Sequence, residues 1–529
     1  MKNIFSKLSL GLALTLWMSA CSDRLNLTPT NDVTSETVFK SVGGYKQALA
    51  KVYSSFATTG NAGPAGAGDV QGLDEGTSDF LRLWWKAQEL STDEAVVAWG
   101  DPGIQDFHNM NWSSDNPLLT GLYYRSLYQI TLCNEFIRQS TDDRLSSRGI
   151  SGSDADQVKG FSEEARFLRA FQYWVLMDLF GNPPFATEET QIGGAPPSQT
   201  SRAALFSYIE SELLRLENSL PAPRGNEYGR ADKAAAWALL SRLYLNANVY
   251  TGSNKYNQAA TYAKKVIDAG YTLESDYTKL MRADNNKNAK EFIFTINYDG
   301  TRTQNYGGTN FITHGAIGGS MVAADFGVNG GWAGLRTTKA LVNQFPSQTG
   351  SPDARSQFHG AGQNLEITEL TKFGDGFGVT KFKNLTATGA AGSSLEFVDI
   401  DFPLFRAGEA YLNYAEAVVR GATTGDRSTA LSYINGLRTR AYGNTNGNIG
   451  EGDMTLDFML AERSRELYWE GLRRTDLIRF DKFVEESYLW PWKGGVKDGK
   501  SVSSHLKLYP LPSADLIANR NLNQNAGYN

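Results

Sequence analysis

Apolar residues recur every three or four positions through two blocks of the chain, and that recurrence predicts helices. The first block holds "TVFKSVGGYKQALAKVYSSF", "LLTGLYYRSLYQITLCNEFIRQ", "VKGFSEEARFLRAFQYWVLMDLFG", "RAALFSYIESELLRLENSL", "ADKAAAWALLSRLYLNANVY" and "NQAATYAKKVIDAG". The second holds "LFRAGEAYLNYAEAVVRG", "STALSYINGLRTRA", "LDFMLAERSRELYWEG" and "RRTDLIRFDKFVEE". Phe167, Phe171, Trp174 and Val175 trace one such stripe. Ser201 and Asp232 stand where helix N-caps are wanted, and "LFGNPPF" stops a helix with Gly181 and two prolines. Small residues at close-contact positions, among them Ala234, Ala235, Ala236 and Ala259, suit helical hairpins. The pattern predicts a mainly α fold, a tetratricopeptide-type helical-repeat scaffold over about 39–270 and 403–486, inside a single domain of residues 39–529.

The helical period lapses over about 57–117, 271–402 and 487–529. These stretches are rich in glycine and polar residues, with a few strand-like runs such as "EFIFTINY" and "VTKFKN". In "NYGGTNFITHGAIGGSMVAADFGVNGGWAGLR" the glycine breaks are so dense that neither helix nor strand is expected, yet the stretch carries Tyr306 and Trp332. Trp84, Trp85, Trp99, Trp490 and Trp492 lie in the other irregular stretches. Long loops are usually functional or disordered, and so many rings argue against disorder. Ordered loops resting on a helical scaffold are therefore expected. Each ring has two readings, an anchor that plugs the core from a loop or a surface displayed to a ligand.

Composition favours the second reading for some of them. Aromatics make up 12% of the chain, with 11 Trp and 24 Tyr, more than a core needs. With 51 Lys and Arg against 57 Asp and Glu the net charge is −6, and no basic run is longer than "LRR", which disfavours nucleic acid as a partner. "MKNIFSKLSLGLALTLWMSAC" has a basic start, an apolar run and small residues before Cys21. This reads as a secretory signal over 1–20, with lipidation of Cys21 and a flexible tether over 21–38. Beyond it no apolar run approaches a membrane span. Cys133, the second of two cysteines, falls in a helical apolar register and is expected to be a small buried hydrophobe.

Chemistry is sparse. The four His include none paired at metal-ligand spacing, and no nucleophile elbow, zinc-protease, P-loop or dinucleotide motif occurs, so no enzyme activity is expected. A glucan hydrolase stays as an alternative, since it needs only two carboxylates. In "VDIDFPLFR", Asp399 and Asp401 alternate in an extended segment, either as Ca²⁺ ligands or as acids ending a strand. A sugar site needs planar apolar faces and a few fixed polar partners. Trp99, Tyr306 and Trp332 are candidate faces, with Arg82 and Asp74 as polar partners.

The chain resembles the SusD family of outer-membrane lipoproteins of Bacteroidetes over nearly its whole length. The resemblance is carried by "EARFLRAFQYWVLMDLFGNPPF", "GRADKAAAWALLSRLYLNANVYTG", "FPLFRAGEAYLNYAEAV" and "RSRELYWEGLRRTDLIRF". Its loops "LDEGTSDFLR", "LSTDEAVVAW", "NYGGTNF", "NGGW" and "YLWPWKGG" resemble those of starch-binding members. The resemblance implies an aromatic arc of Trp99, Tyr306 and Trp332 that cradles a helical α-1,4-glucan, with Asp74 and Arg82 as hydrogen-bonding partners. A family Asn after the first Trp has no counterpart in "WGDPG", where Asp101 stands as its replacement. A family calcium site maps onto Asp399, Asp401 and Asn286; no cofactor is required, and Ca²⁺ would be structural. The same resemblance implies non-catalytic binding of starch and maltooligosaccharides at the cell surface, on a lipid anchor in the outer membrane. The glycan would pass to a SusC-type TonB-dependent transporter. The alternatives are the same scaffold with another glycan or a peptide, or a transporter lid without sugar affinity.

Overall fold

The computed structural model describes residues 35–528 apart from 65, 67, 288 and 289; the expected signal, Cys21 and residues 21–34 of the tether lie outside them. The helices that build the scaffold are α1 (Val42–Ser54), α2 (Phe80–Glu89), α3 (Pro117–Gln139), α4 (Gly152–Phe180), α5 (Arg202–Ser219), α6 (Lys233–Leu245) and α7 (Tyr256–Asp268). They continue, after a long insertion that holds α8 (Gly308–Gly315), as α9 (Ala407–Val419), α10 (Arg427–Tyr442), α11 (Leu456–Leu467) and α12 (Arg473–Arg479). From α3 to α7 each helix packs on the next, α7 then packs on α9, and α9 on α10. This is the expected helical-repeat scaffold. Its starts are chemically marked: Asn116 accepts from the N–H groups of Leu118 and Leu119 with proline at the first helical position, and Asp232 accepts from those of Ala234 and Ala235. Cys133 is fully buried, and burial pushes its thiol up to about 12.

Strands are short: β1 (Val96–Val97), β2 (Phe292–Ile296), β3 (Leu335–Arg336), β4 (Phe358–His359), β5 (Gly378–Val379) and β6 (Phe402–Arg406). They form three antiparallel pairs, β1–β3, β2–β6 and β4–β5. The β2–β6 pair matters most for architecture. Phe292 lies opposite Arg406 and Ile296 opposite Phe402, so the chain that leaves the stack after α7 is closed off where it re-enters at α9. Every residue of both strands is buried, which explains the near-continuous apolar runs "FIFTI" and "FPLFR".

Five expectations are corrected. The stretch around Trp84 and Trp85 is not irregular, because Asp79 caps α2 and both indoles are core residues. Trp85 packs edge-on against Trp469 at 5.1 Å and donates from its indole N–H to the Trp469 carbonyl at 3.0 Å. The glycine-dense stretch also contains a helix, α8, whose Phe311 and Ile312 are fully buried, so tertiary contact overrides weak propensity. "LFR" belongs to β6 rather than to the helix after it, and helix ends at Arg479 before "DKFVEE". In "VTKFKN" only Val379 lies in a strand.

The insertion and the stack are joined by buried charge. Arg406, at the end of β6, donates to Glu291, Glu466 and Glu470 at 2.7–2.8 Å. Arg355 of the insertion, fully buried, pairs with Asp353 and with Glu462 and Glu466 of α11. Lys381 of the insertion reaches Glu470, and Arg440 of α10 reaches Glu291 and Glu466. Burial alone would raise these carboxyls, but the guanidinium groups prevail: Arg440, Arg406 and Arg355 hold Glu466 at about 2, and Arg479, Arg420 and Arg463 hold Glu416 at about 2. Removing one partner strands the others in a low-dielectric interior. Glu466→Gln is therefore expected to destabilise the fold by about 3–5 kcal/mol in denaturant unfolding. Carboxyls held below their ordinary value of 4.5 contribute stability that is complete above that value and lost as they protonate. The melting temperature should accordingly fall as pH drops from about 4.5 toward about 2.

Candidate functional site

Asp79 sets the site. One of its carboxylate oxygens accepts from the Arg82 N–H at 2.8 Å and from the Gly308 N–H at 2.8 Å, so a single side chain caps both α2 and α8. A β-carbon on Gly307 would lie 2.1 Å from that of Asp79, and one on Gly308 2.3 Å from the Tyr298 ring. The Gly-Gly pair is thus the condition for the close approach that starts α8. Glycine here serves geometry.

The other end of α8 fixes Trp332. Helix C-termini leave carbonyls without intrahelical partners. Here the N–H groups of Trp332, Ala333 and Gly334 donate to the carbonyls of His314, Ile317 and Gly315 at 2.8, 2.9 and 2.9 Å. Ala333 takes a left-handed backbone (φ 47°), a local strain held between the ring of Trp332 and Gly334. The chain then enters β3, which pairs with β1, and the Ala98 N–H donates to the Gly334 carbonyl at 2.9 Å. Trp99 lies two residues beyond the end of β1. Its indole N–H donates to the Trp332 carbonyl at 3.0 Å. A β-carbon on Gly334 would lie 2.2 Å from the Trp99 indole, so the ring lies flat against bare backbone.

The three rings predicted from sequence come together. Trp99 and Trp332 have centroids 6.4 Å apart and planes inclined by 47°, while Tyr306 and Trp332 are 6.3 Å apart and inclined by 59°. All three are half-buried, anchored at one edge and open at the other. Trp99 rests on Phe311 of α8 at 5.9 Å, and Tyr306 on Phe397 at 5.4 Å. Behind Trp332 lies the nearly parallel ring of His314, 5.0 Å away at 20°. His314 faces the carbonyls of Gly330 and Glu396 at 2.8 and 3.1 Å, and burial pushes its pKa below the usual histidine range. The Tyr306 hydroxyl donates to the Glu396 carboxylate at 2.7 Å. His314 and Glu396 were not singled out in the sequence, because only the fold places them behind the rings.

The polar partners lie beside the same arc. Arg82 on α2 is half-buried and donates to the Tyr306 carbonyl at 2.8 Å, with its guanidinium 4.9 Å over the Phe311 ring. Burial lowers its pKa, opposed by attraction from Asp74 and Asp101. Asp74 is exposed, and its carboxylate accepts from the Thr77 N–H at 3.1 Å, which with that contact keeps it ionised against its partial burial. Asp101 is exposed two residues after Trp99, at the start of the turn that its carbonyl closes with the Ile104 N–H. Below Asp74, burial and then the charges of Asp79 and Asp74 push the Glu75 carboxyl up to about 7. Chemically, the arrangement offers a curved apolar surface edged by one cation and two open carboxylates.

The residues grouped as a calcium set are held differently. Asp399 accepts from the Gly300 N–H and from the N–H and hydroxyl of Ser393. Asp401, buried, accepts from the Tyr298 N–H and the Tyr228 hydroxyl, both at 2.8 Å, and burial pushes its carboxyl up to about 7. Asn286 is exposed, while its neighbour Asn285 is the one that bonds the Asp401 backbone. Protein donors already take the carboxylate oxygens, and among the described residues no group of three or more His, Cys, Asp or Glu is arranged to hold a metal ion. As held here, Asp399 and Asp401 tie the insertion to β6, and Asn286 bonds neither of them.

Comparison with known proteins agrees with this architecture. Residues 369–528 match the family described as "SusD family", and residues 78–245 match the one described as "Starch-binding associating with outer membrane". The chain is 34% identical to the starch-binding protein SusD of Bacteroides thetaiotaomicron, an alignment that spans 100% of this chain and 99% of that one. It is 24% identical to the SusD-like protein P2 of Formosa agariphila, over 98% of each. Among solved structures, surface glycan-binding protein A of Bacteroides fluxus superposes with a TM-score of 0.70 at 20% identity, over 92% of this chain and 99% of that one. Surface glycan-binding protein A of Bacteroides thetaiotaomicron, in complex with laminarihexaose, superposes with a TM-score of 0.67 at 21% identity, over 91% and 99%. A relative this similar along its full length, together with the shared helical stack, shows that the chain belongs to the SusD family.

Proposed function

We propose that this protein captures starch and maltooligosaccharides at the cell surface without cleaving them, through the arc of Trp99, Trp332 and Tyr306. The observation that carries this reading is the inclination of the rings, 47° and then 59° at centroid spacings of 6.4 and 6.3 Å. Successive planes inclined this way make a bent strip rather than a flat one, which suits a coiled α-1,4-glucan; a flat strip would suit an extended glucan better. Asp74, Asp101 and Arg82 edge the strip with acceptors and donors for sugar hydroxyls. The starch-binding relative supports the choice of ligand. In this reading Cys21 carries the lipid that holds the protein on the outer membrane, and the loaded face presents glucan to a SusC-type TonB-dependent transporter. Among the described residues no helix is long and apolar enough to cross a membrane, which suits an anchored protein.

Affinity electrophoresis and calorimetry across amylose, maltoheptaose, laminarin and cellohexaose test the reading, laminarin being included because a structural neighbour holds laminarihexaose. Binding is expected for the α-1,4-glucans alone. Trp99→Ala or Trp332→Ala should weaken it at least tenfold, about 1.4 kcal/mol, with the helical scaffold still folded by circular dichroism. Retention on laminarin in place of amylose would overturn the ligand. Gly334→Ala should also weaken amylose retention, because its new methyl group must displace the Trp99 ring; the accompanying loss of stability is expected at about 1–3 kcal/mol by denaturant unfolding.

A further inference from the structure

One cation beside the arc has no protein partner among the described residues. Lys86 is 1% exposed, one helical turn beyond Arg82 on the same face of α2. Its ammonium makes no hydrogen bond or ion pair among the described residues; its only close contact of note is the Phe311 ring, with Nζ 5.4 Å from the centroid. Trp99 rests on that same ring. Burial, and then repulsion from Arg82, push the Lys86 pKa well below the usual lysine range, while Asp101 and Asp74 attract the ammonium from beyond contact distance. The neighbouring Arg82 keeps its Nε buried without a partner. A buried ammonium without an acceptor is costly to the fold, and a cation–π contact offsets only part of that cost. Other buried cations have protein acceptors, carboxylates at Arg355, Arg406 and Lys381 and backbone carbonyls at Arg336 and Lys493. The Lys86 ammonium has neither.

We propose that Lys86 is a ligand-binding residue that, paired with Asp101, reads two neighbouring hydroxyls of the glucose unit seated on Trp99. The proposal rests on the glucan-binding reading above. A vicinal diol has both the proton that a carboxylate accepts and the lone pairs that an ammonium needs. Asp101 stands at the surface as the acceptor, two residues beyond Trp99, while the Lys86 side chain is buried and attracted to it without contact. Rotation about the four-carbon lysine stem carries the charge toward the sugar when the sugar supplies the missing acceptor.

The test is Lys86→Met, which keeps the length and removes the charge, measured by calorimetry with maltoheptaose alongside thermal unfolding of the sugar-free protein. The expected result is a split: affinity falls at least tenfold while the melting temperature stays equal or rises, since the unpaired charge is gone. Asp101→Ala should lower affinity as well, and the double variant should lose no more than the worse single one. Unchanged affinity in Lys86→Met, with wild type binding normally, overturns the assignment and leaves the glucan reading standing. A lower melting temperature in Lys86→Met overturns it in favour of a structural lysine. Losses that multiply in the double variant overturn the pairing. Absence of wild-type binding to maltoheptaose overturns both readings together.

Discussion

Arg406 and Glu466 meet where the inserted segment rejoins the helical stack, and the placement of nearly every loop on the ligand face depends on that junction. Arg406 closes the β2–β6 ladder and starts α9, while Glu466 on α11 also receives Arg355 from the insertion and Arg440 from α10. Taking such groups out of water costs several kcal/mol per ion, so the network is a poor source of net stability. Its value is directional. A guanidinium satisfied by two or three carboxylates has one orientation, whereas an apolar contact of equal area could slide. A similar anchor acts at the other side of the site, where Arg473 of α12 grips Asp93 just before β1 and the Trp99 loop.

From that rigid base the arc is assembled by backbone more than by side chains. Asp79 caps two helices at once, the spent end of α8 receives three successive N–H groups, and a two-residue ladder joins Trp99 to Trp332. Each ring therefore has its position set by hydrogen bonds at its root and keeps its far face open. Such pre-organisation matters for sugars, whose hydroxyls lose water on binding and leave little surplus to order a floppy site. The imidazole of His314 backs Trp332 without touching the ligand face.

The sequence made most of the scaffold legible because helical repeats are local. Periodicity and caps such as Ser201 and Asp232 lie within one turn of the helices they start, and both are where the sequence placed them. The insertion was far less legible. The capping residue of α8 lies 229 positions upstream, which no local pattern can register. Trp84 and Trp85 show the same limit: an indole in a glycine-bordered stretch reads alike whether it plugs a core or faces water, and these two are core. Trp99, Tyr306 and Trp332 were identified through loop motifs rather than through periodicity, and the fold brings the three together. The pairing of Asp399 and Asp401 was legible as an alternation, but their partners, Ser393, Gly300, Tyr298 and Tyr228, come from three other segments.

The hydrogen bond between the Trp99 indole and the Trp332 carbonyl spans 233 residues of chain. Contacts of such separation are closed late in folding, since the loop entropy they cost is recovered only once the intervening structure has formed. The helical stack, built from neighbours in sequence, can form first; the arc cannot exist until the insertion has docked. A partly folded chain thus has no assembled arc, which comes together as a last, all-at-once event. The assembled arc is in that sense a certificate of completed folding.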